Sequence, residues 1–352
     1  MVMSFPENVY FINEHSYLEY THGGIGPVDI ETILMRNRAI PIRFPFYFDF
    51  SVKAKIARLY HLIKMSFVIG SHSVVVFQHP PHARIHILLL KLLRLRRSVT
   101  VICLVTDIDG LKDGNDDLLQ REKAFFKKHK YFILHNPSMR EWLKAFHPTA
   151  TCSLLTCFDF LTKESLRIRS KSHTIVFAGN LQKSKFLERL PLWLEKNGSL
   201  YINLYGPHIN DVMLKDQRVS YMGLHKPYEL PDLLEGSFGL IWDGEGIQHP
   251  EGSLGNYMQY ISHHKLSLYI VSHLPVILYE NAGSAEMVKK FNIGFTVNSL
   301  FEIEDKINKL SHEDYNTMVR NTHDLAKEIT SGNCLGKALE ELLRKKNRSI
   351  NS

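Results

Sequence analysis

The sequence predicts an α/β protein of two similar halves, each a parallel sheet covered on both faces by helices. Three observations carry this expectation. Short β-rich apolar runs alternate with longer helical patterns from one end of the chain to the other, and such alternation buries strands on both faces. The chain has 352 residues, enough for two domains at about 150 residues each. A polar run at 162–173, holding Lys163, Glu164, Arg167, Arg169 and Lys171, divides it into nearly equal parts.

In the first half, strands are expected at 9–13, 39–43, 74–78, 100–105 and 131–135, where Val, Ile, Phe and Tyr cluster in short runs. Helices are expected between them at 28–37, 52–69, 83–96, 118–128 and 137–146. The second half repeats the rhythm with strands at 174–178, 201–205, 219–222, 238–242, 275–278 and 294–297. Helical segments at 313–329 and 335–346 follow the last strand. The expected organisation is one domain over 1–165, a second over 173–325, and a terminal helical piece over 326–352 that packs back on the first. Two such halves place the carboxyl ends of both sheets at one shared cleft, where open α/β sheets bind ligands.

Composition excludes several classes. Hydrophobic residues make up 44% and charged residues 22%, a globular mixture that is neither disordered nor collagen-like. Cys103, Cys152, Cys157 and Cys334 form no CxxC pair and have no histidine at zinc spacing, so no metal site is expected. Residues 1–8 carry no basic or apolar leader pattern, and the apolar stretch 85–105 is interrupted by Lys91, Arg94, Arg96 and Arg97. A cytosolic protein is the expectation.

Charge is distributed unevenly. The net charge is +7, yet between Ser51 and Thr106 there are nine basic residues (Lys53, Lys55, Arg58, Lys64, Arg84, Lys91, Arg94, Arg96 and Arg97) and no acidic one. Such a block attracts anions. No nucleic-acid motif accompanies it, so nucleic acid is not expected as a partner. A solvated basic face and peripheral contact of 53–97 with the inner face of a membrane both stay open. So does a homo-oligomer.

Candidate chemistry concentrates in the second half. The strand at 174–178 runs into Gly179, then Asn180, Leu181, Gln182, Lys183 and Ser184. A glycine there lets a ligand approach the backbone, and a following helix start with lysines offers donors to phosphate. Gly206, Gly223 and Gly244 punctuate later strand ends, either as ligand rims or as plain tight turns. His264, Lys265 and Ser267 open a further helix. A lysine at that end opposes the helix dipole, which makes sense if an anion sits between it and the free N–H groups.

The runs Phe177-Ala178-Gly179-Asn180-Leu181, Gly223 with Pro227-Tyr228-Glu229-Leu230-Pro231, Gly236-Ser237-Phe238-Gly239-Leu240-Ile241-Trp242-Asp243-Gly244, and His264-Lys265-x-Ser267-Leu268-Tyr269 resemble a bacterial sugar-transferase family. That family includes β-1,6-galactofuranosyltransferases and the glucosyltransferase acting on serine-rich adhesins. The resemblance implies a GT-B fold of two Rossmann-like domains, a UDP-sugar donor on the C-terminal domain, no cofactor or catalytic metal, and inversion at the donor carbon. It implies nucleotide-sugar contacts from Gly179, Asn180, Lys183, His264 and Ser267, a diphosphate contact from Lys265 on the same helix as Ser267, and a pocket floor at Asp243 and Gly244. The small-residue loop Thr21-His22-Gly23-Gly24-Ile25-Gly26 would face the donor across the cleft, through Thr21 and Gly24.

An inverting transfer also needs a base for the acceptor hydroxyl. Asp107 and Asp109 leave a buried strand at i and i+2, which aims both carboxylates one way; His15 and His79 also follow strands and compete for the role. The expected activity is hexosyl transfer (galactofuranosyl, glucosyl or galactosyl) from a UDP-sugar to a glycan or lipid-linked sugar. A nucleotide-sugar epimerase or hydrolase and a two-lobed sugar-binding protein are the alternatives.

Overall fold

The computed structural model describes residues 8–16, 24–46 and 49–351. The first half runs β1 (Val9–Ile12), α1 (Ile25–Arg36), β2 (Ile40–Ile42), α2 (Val52–Val68), β3 (Val74–His79) and α3 (Arg84–Leu95). It continues through β4 (Thr100–Val105), α4 (Asp109–Lys112), α5 (Asp116–Phe126), β5 (Tyr131–Leu134), α6 (Pro137–Phe146) and β6 (Thr151–Leu154). The second half opens with β7 (Thr174–Ala178), α7 (Leu190–Lys196), β8 (Tyr201–Tyr205), β9 (Val219–Gly223), α8 (Leu230–Leu233) and β10 (Phe238–Ile241). Then come α9 (Gly252–Tyr257), α10 (His264–Val271), β11 (Val276–Tyr279), α11 (Ala285–Phe291), β12 (Gly294–Val297) and α12 (Ile303–Lys309). Two long helices, α13 (His312–Ser331) and α14 (Asn333–Asn351), close the chain.

All strand pairings are parallel, in the orders β2-β1-β3-β4-β5-β6 and β12-β11-β10-β7-β8-β9. This is the two-sheet architecture the sequence predicts. The central strands of each sheet are buried on both faces, which is why β3, β4 and β10 carry consecutive apolar residues instead of alternating ones. Trp193 and Trp242, both fully buried, satisfy their indole N–H groups on the carbonyls of Leu300 and Gly246, each at 2.8 Å.

The strand orders fix where a site can form. The chain leaves β1 to one side for β2 and returns to the other side for β3; likewise β8 lies on one side of β7 and β10 on the other. Crevices open at the carboxyl ends where the direction reverses. Those ends lead into Asn13, Glu14 and His15 after β1, Gly179 after β7, and Trp242 and Asp243 after β10.

The halves are tied together behind the cleft. The polar run 162–173 lies against the second sheet's layer, with Arg169 buried and donating to the carbonyls of Ser272 (2.9 Å) and Leu234 (2.7 Å). After Gly332 turns the chain in the left-handed region (φ 81°), α14 crosses to the first half. There Leu335, Ala338, Leu339 and Leu342 join Val9, Phe11, Ile30 and Ile33 in one core. The Asp159 carboxylate caps this helix by accepting from the N–H groups of Cys334 (3.0 Å) and Leu335 (2.8 Å).

Candidate active site

Helix α10 begins without a side-chain cap; the Leu266 N–H is taken up by the His263 carbonyl at 2.9 Å, and the helix start faces the cleft through His264 and Lys265. Helix α1, which follows β1, likewise starts at the cleft with Gly24 as an uncapped N-cap. The two starts meet: a Cβ on Gly26 would lie 3.0 Å from the His264 ring. Two positive helix ends therefore converge on one spot, a setting that favours an anion.

Lys265 sits inside this convergence. Its Nζ donates to Asp243 Oδ1 at 2.8 Å and lies 4.4 Å from the centre of the Phe177 ring. His263 Nε2 approaches the other Asp243 oxygen at 3.0 Å. Burial pushes the Asp243 carboxyl up, but Lys265 and His263 outweigh it and hold the group well below the ordinary carboxylate range. The anion that a lysine at a helix start calls for is thus first supplied by the protein itself.

The glycines around Lys265 are dictated by contact. A Cβ on Gly179 would meet Lys265 Cε at 2.8 Å, so the lysine stem lies directly over that residue. Gly206 adopts φ 137°, and a Cβ there would fall 1.8 Å from the Gly179 carbonyl oxygen. Gly206→Ala is accordingly expected to lower the unfolding free energy by about 2–4 kcal/mol in urea titration. Gly198→Ala, with open space around it, serves as the near-neutral control; equal stability of the two variants would refute the packing.

A cavity of about 200 Å³ adjoins these residues. It is lined by the neighbouring strand ends Ala178, Gly179 and Asn180 and Tyr205, Gly206 and Pro207, by Leu224, His225, Pro227 and Leu230, by Lys265 and Leu268 of α10, and by Ile25, Phe160 and His264. His264 packs between Phe158 and Phe160; burial pushes its imidazole down to about 4, and its Nε2 is buried without a hydrogen-bond partner.

The remaining expected residues divide. Gly179, Asn180, His264 and Lys265 line the cavity and Asp243 underlies it. Thr21 lies outside the described residues. Lys183 is exposed, with its backbone N–H on Asn180 Oδ1 at 3.2 Å, and does not line the cavity. Gly244 (φ 93°) packs against the Glu251 carbonyl as a turn residue. Ser267 is fully buried and donates to the Phe158 carbonyl at 2.6 Å, so its hydroxyl serves the chain crossing between halves, not the cavity.

Asp107 and Asp109 lie on the first half's rim, both paired with Lys112 Nζ; the Asp107 contact is 2.5 Å. Although burial opposes it, the two carboxylates hold Lys112 protonated well above the usual lysine range. Tyr257, from the second half, donates its hydroxyl to Asp107 at 2.7 Å and accepts from the Ile108 N–H at 2.8 Å. Both oxygens of Asp107 are therefore engaged. His79 contacts Glu122 at 3.2 Å within a nest of Phe125 and Phe126, a core arrangement.

His15 is different. The loop carrying it is pinned by buried Glu31 of α1, which accepts from the N–H groups of Glu14 (2.6 Å), His15 (2.9 Å) and Ser16 (2.6 Å). Glu14 bonds the His86 ring and the N–H of His82, ahead of α3. Among the described residues, the His15 ring meets the edge of His82, with ring centres 5.2 Å apart. Burial, the largest cause, pushes its imidazole down to about 4, so near neutral pH it is an uncharged base. Among the described residues, the cluster able to hold a metal ion is Glu164, His273 and His323; His273 follows the far end of α10 from the cavity.

Comparison with known proteins gives a consistent picture. The glucosyltransferase 3-like N-terminal domain model matches residues 10–150, and the glucosyltransferase 3-like C-terminal domain model matches residues 175–342. Beta-1,6-galactofuranosyltransferase WbbI of Escherichia coli (strain K12) is 26% identical over 302 residues, covering 82% of this chain and 85% of that protein. Glucosyltransferase 3 of Streptococcus gordonii is 27% identical over 148 residues, 42% of this chain and 43% of that protein. In fold, the chain resembles sucrose-phosphate synthase from Thermosynechococcus elongatus (TM-score 0.64, 12% identity, 98% of this chain and 99% of that one). It also resembles Anabaena HepE in complex with UDP and glucose (TM-score 0.59, 12% identity, 97% of this chain and 99% of that one).

Proposed function

Because the chain belongs to the glucosyltransferase 3-like family and is a glycosyltransferase of GT-B architecture, we propose that it moves a hexosyl residue from a UDP-sugar to a sugar hydroxyl. The hexose is galactofuranose, glucose or galactose, and the acceptor belongs to surface polysaccharide or glycoprotein assembly. One observation carries the reading: the starts of α1 and α10 converge, with Lys265 beside them, at the edge of a cavity sized for a small ligand. A diphosphate placed there would face helix N–H groups, the buried unpartnered His264 Nε2 and the Lys265 ammonium. The walls formed by Tyr205, Pro207, Leu224, His225 and Leu230 suit a nucleoside, mostly apolar with one imidazole.

The reaction is an inverting displacement. The acceptor oxygen bonds to the anomeric carbon, the bond from that carbon to the phosphate oxygen breaks, and the acceptor proton passes to a base on the first half's rim. Negative charge grows on the departing UDP, where Lys265 and the helix ends stabilise it without a metal ion. The β-linkage in the name of the Escherichia coli relative supports inversion.

A panel of UDP-sugars read by thermal shift, followed by mass analysis of products on short acceptors, tests this. Stabilisation by UDP and one UDP-hexose, with a mass gain of one hexose only when acceptor is present, is expected. Stoichiometric donor conversion without acceptor would assign an epimerase or hydrolase instead. Binding of free sugar but not UDP would assign a sugar-binding protein.

A further inference from the structure

We propose that the outer face of α2 docks on the surface of an anionic lipid bilayer. Val52, Ile56, Leu59, Tyr60, Ile63 and Phe67 recur every three or four residues and fall on one stripe about 100° wide. That stripe faces away from the protein: Ile56 is 63% exposed, Tyr60 70% and Phe67 80%. The inward positions are separate, since Ala54, Leu62 and Met65 are buried. A helix that already buries one apolar face and presents a second to solvent is built for an interaction.

The flanking chemistry identifies the partner. Lys53, Lys55 and Lys64 are exposed along the edges of the stripe, where their stems can lie along an apolar surface while the ammonium groups reach phosphate headgroups. The end of α3 extends the patch, with Leu95 exposed and Arg94 and Arg97 beside it in sequence. Arg96 instead turns inward, donating to the carbonyls of Ser66 and Ile69, each at 2.6 Å, and so locks α2 to α3. No acidic residue occurs between Ser51 and Thr106, and the nearest one before, Asp49, is held by the N–H and hydroxyl of Ser51. A second copy meeting this face across a two-fold axis would set lysine against lysine; an anionic membrane supplies the missing charge.

Topology points the face usefully. Helix α2 joins parallel strands β2 and β3, so it starts at the sheet edge where the strands end, the edge that lines the cleft. A bilayer held by α2 therefore lies beside the cleft mouth of the first half. On the glycosyltransferase reading, this suits an acceptor sugar carried on a lipid; the docking itself rests on the surface alone.

Flotation of the full chain with phosphatidylcholine vesicles, with and without phosphatidylglycerol, tests it. The wild type is expected to float with the anionic vesicles and not the neutral ones, and to detach in high salt. Ile56→Ser/Phe67→Ser should abolish flotation with unchanged thermal stability and UDP binding. Lys53→Gln/Lys55→Gln/Lys64→Gln should weaken vesicle binding on the order of a hundredfold. Equal binding to both vesicle types, or binding to neither, overturns the proposal. So does a vesicle-free dimer in sedimentation velocity that Ile56→Ser/Phe67→Ser dissociates. Because no step reads sugar transfer, failure here leaves the enzymatic reading untouched, and the reverse also holds.

Discussion

Lys265→Ala is expected to reduce kcat/KM by about 10²–10³, mostly through kcat, in a protein that still folds. The kinetic effect follows from timing: charge on the leaving UDP is greatest in the transition state, so a cation aimed at it contributes more there than to ground-state binding. The folding effect follows from the ion pair. Removing Lys265 strips Asp243 of a partner 2.8 Å away, but His263 remains at 3.0 Å from the other oxygen, and both side chains keep some exposure. The cost lies between that of an exposed pair and a buried one, about 1–3 kcal/mol. A double variant separates the two roles. Lys265→Met/Asp243→Asn removes both charges, so it should recover most of the stability and none of the turnover. Recovery of turnover in the double variant would show that Lys265 acts only by neutralising Asp243, and the diphosphate assignment would fall.

The strands were legible because parallel sheets bury both faces: the runs at 100–105, 174–178, 201–205 and 294–297 coincide with β4, β7, β8 and β12. Strand β6, reading Thr-Cys-Ser-Leu, lies at a sheet edge and carries too little apolar signal to stand out. The same division holds for the site. Gly179 and Lys265 follow from local logic, a glycine ending a buried strand and a cation at a helix start. Tyr257 against Asp107 and Glu31 under the His15 loop join positions far apart in sequence, and no spacing rule announces them. Ser267 sits two positions beyond Lys265, and on a helix two residues place it on another face. The family resemblance implies a donor contact for Ser267; its direction takes it to Phe158.

The base should be found by substituting the rim residues one at a time, and His15→Gln is expected to cost about 10²–10⁴ in kcat/KM. Asp107→Asn and Asp109→Asn should cost far less, because both carboxylates are already committed to Lys112, and Asp107 also to Tyr257. Acidity provides a second, independent readout. A base works only while unprotonated, so activity is lost as pH falls through its pKa. Burial pushes the His15 imidazole down to about 4; kcat/KM should therefore stay level through the range where an ordinary histidine would titrate, near 6.5, and decline only in more acidic solution. The pinned loop is a separate matter: Glu31 accepts from three consecutive N–H groups, which fixes the backbone of His15. Glu31→Gln keeps an oxygen for the Glu14 and His15 N–H groups but sets an NH2 against the Ser16 N–H, so it should reduce kcat less than Glu31→Ala, which frees the whole loop. Full activity in His15→Gln together with an inactive Asp107→Asn would transfer the proton-accepting role to Asp107, with Lys112 and Tyr257 then acting to position it.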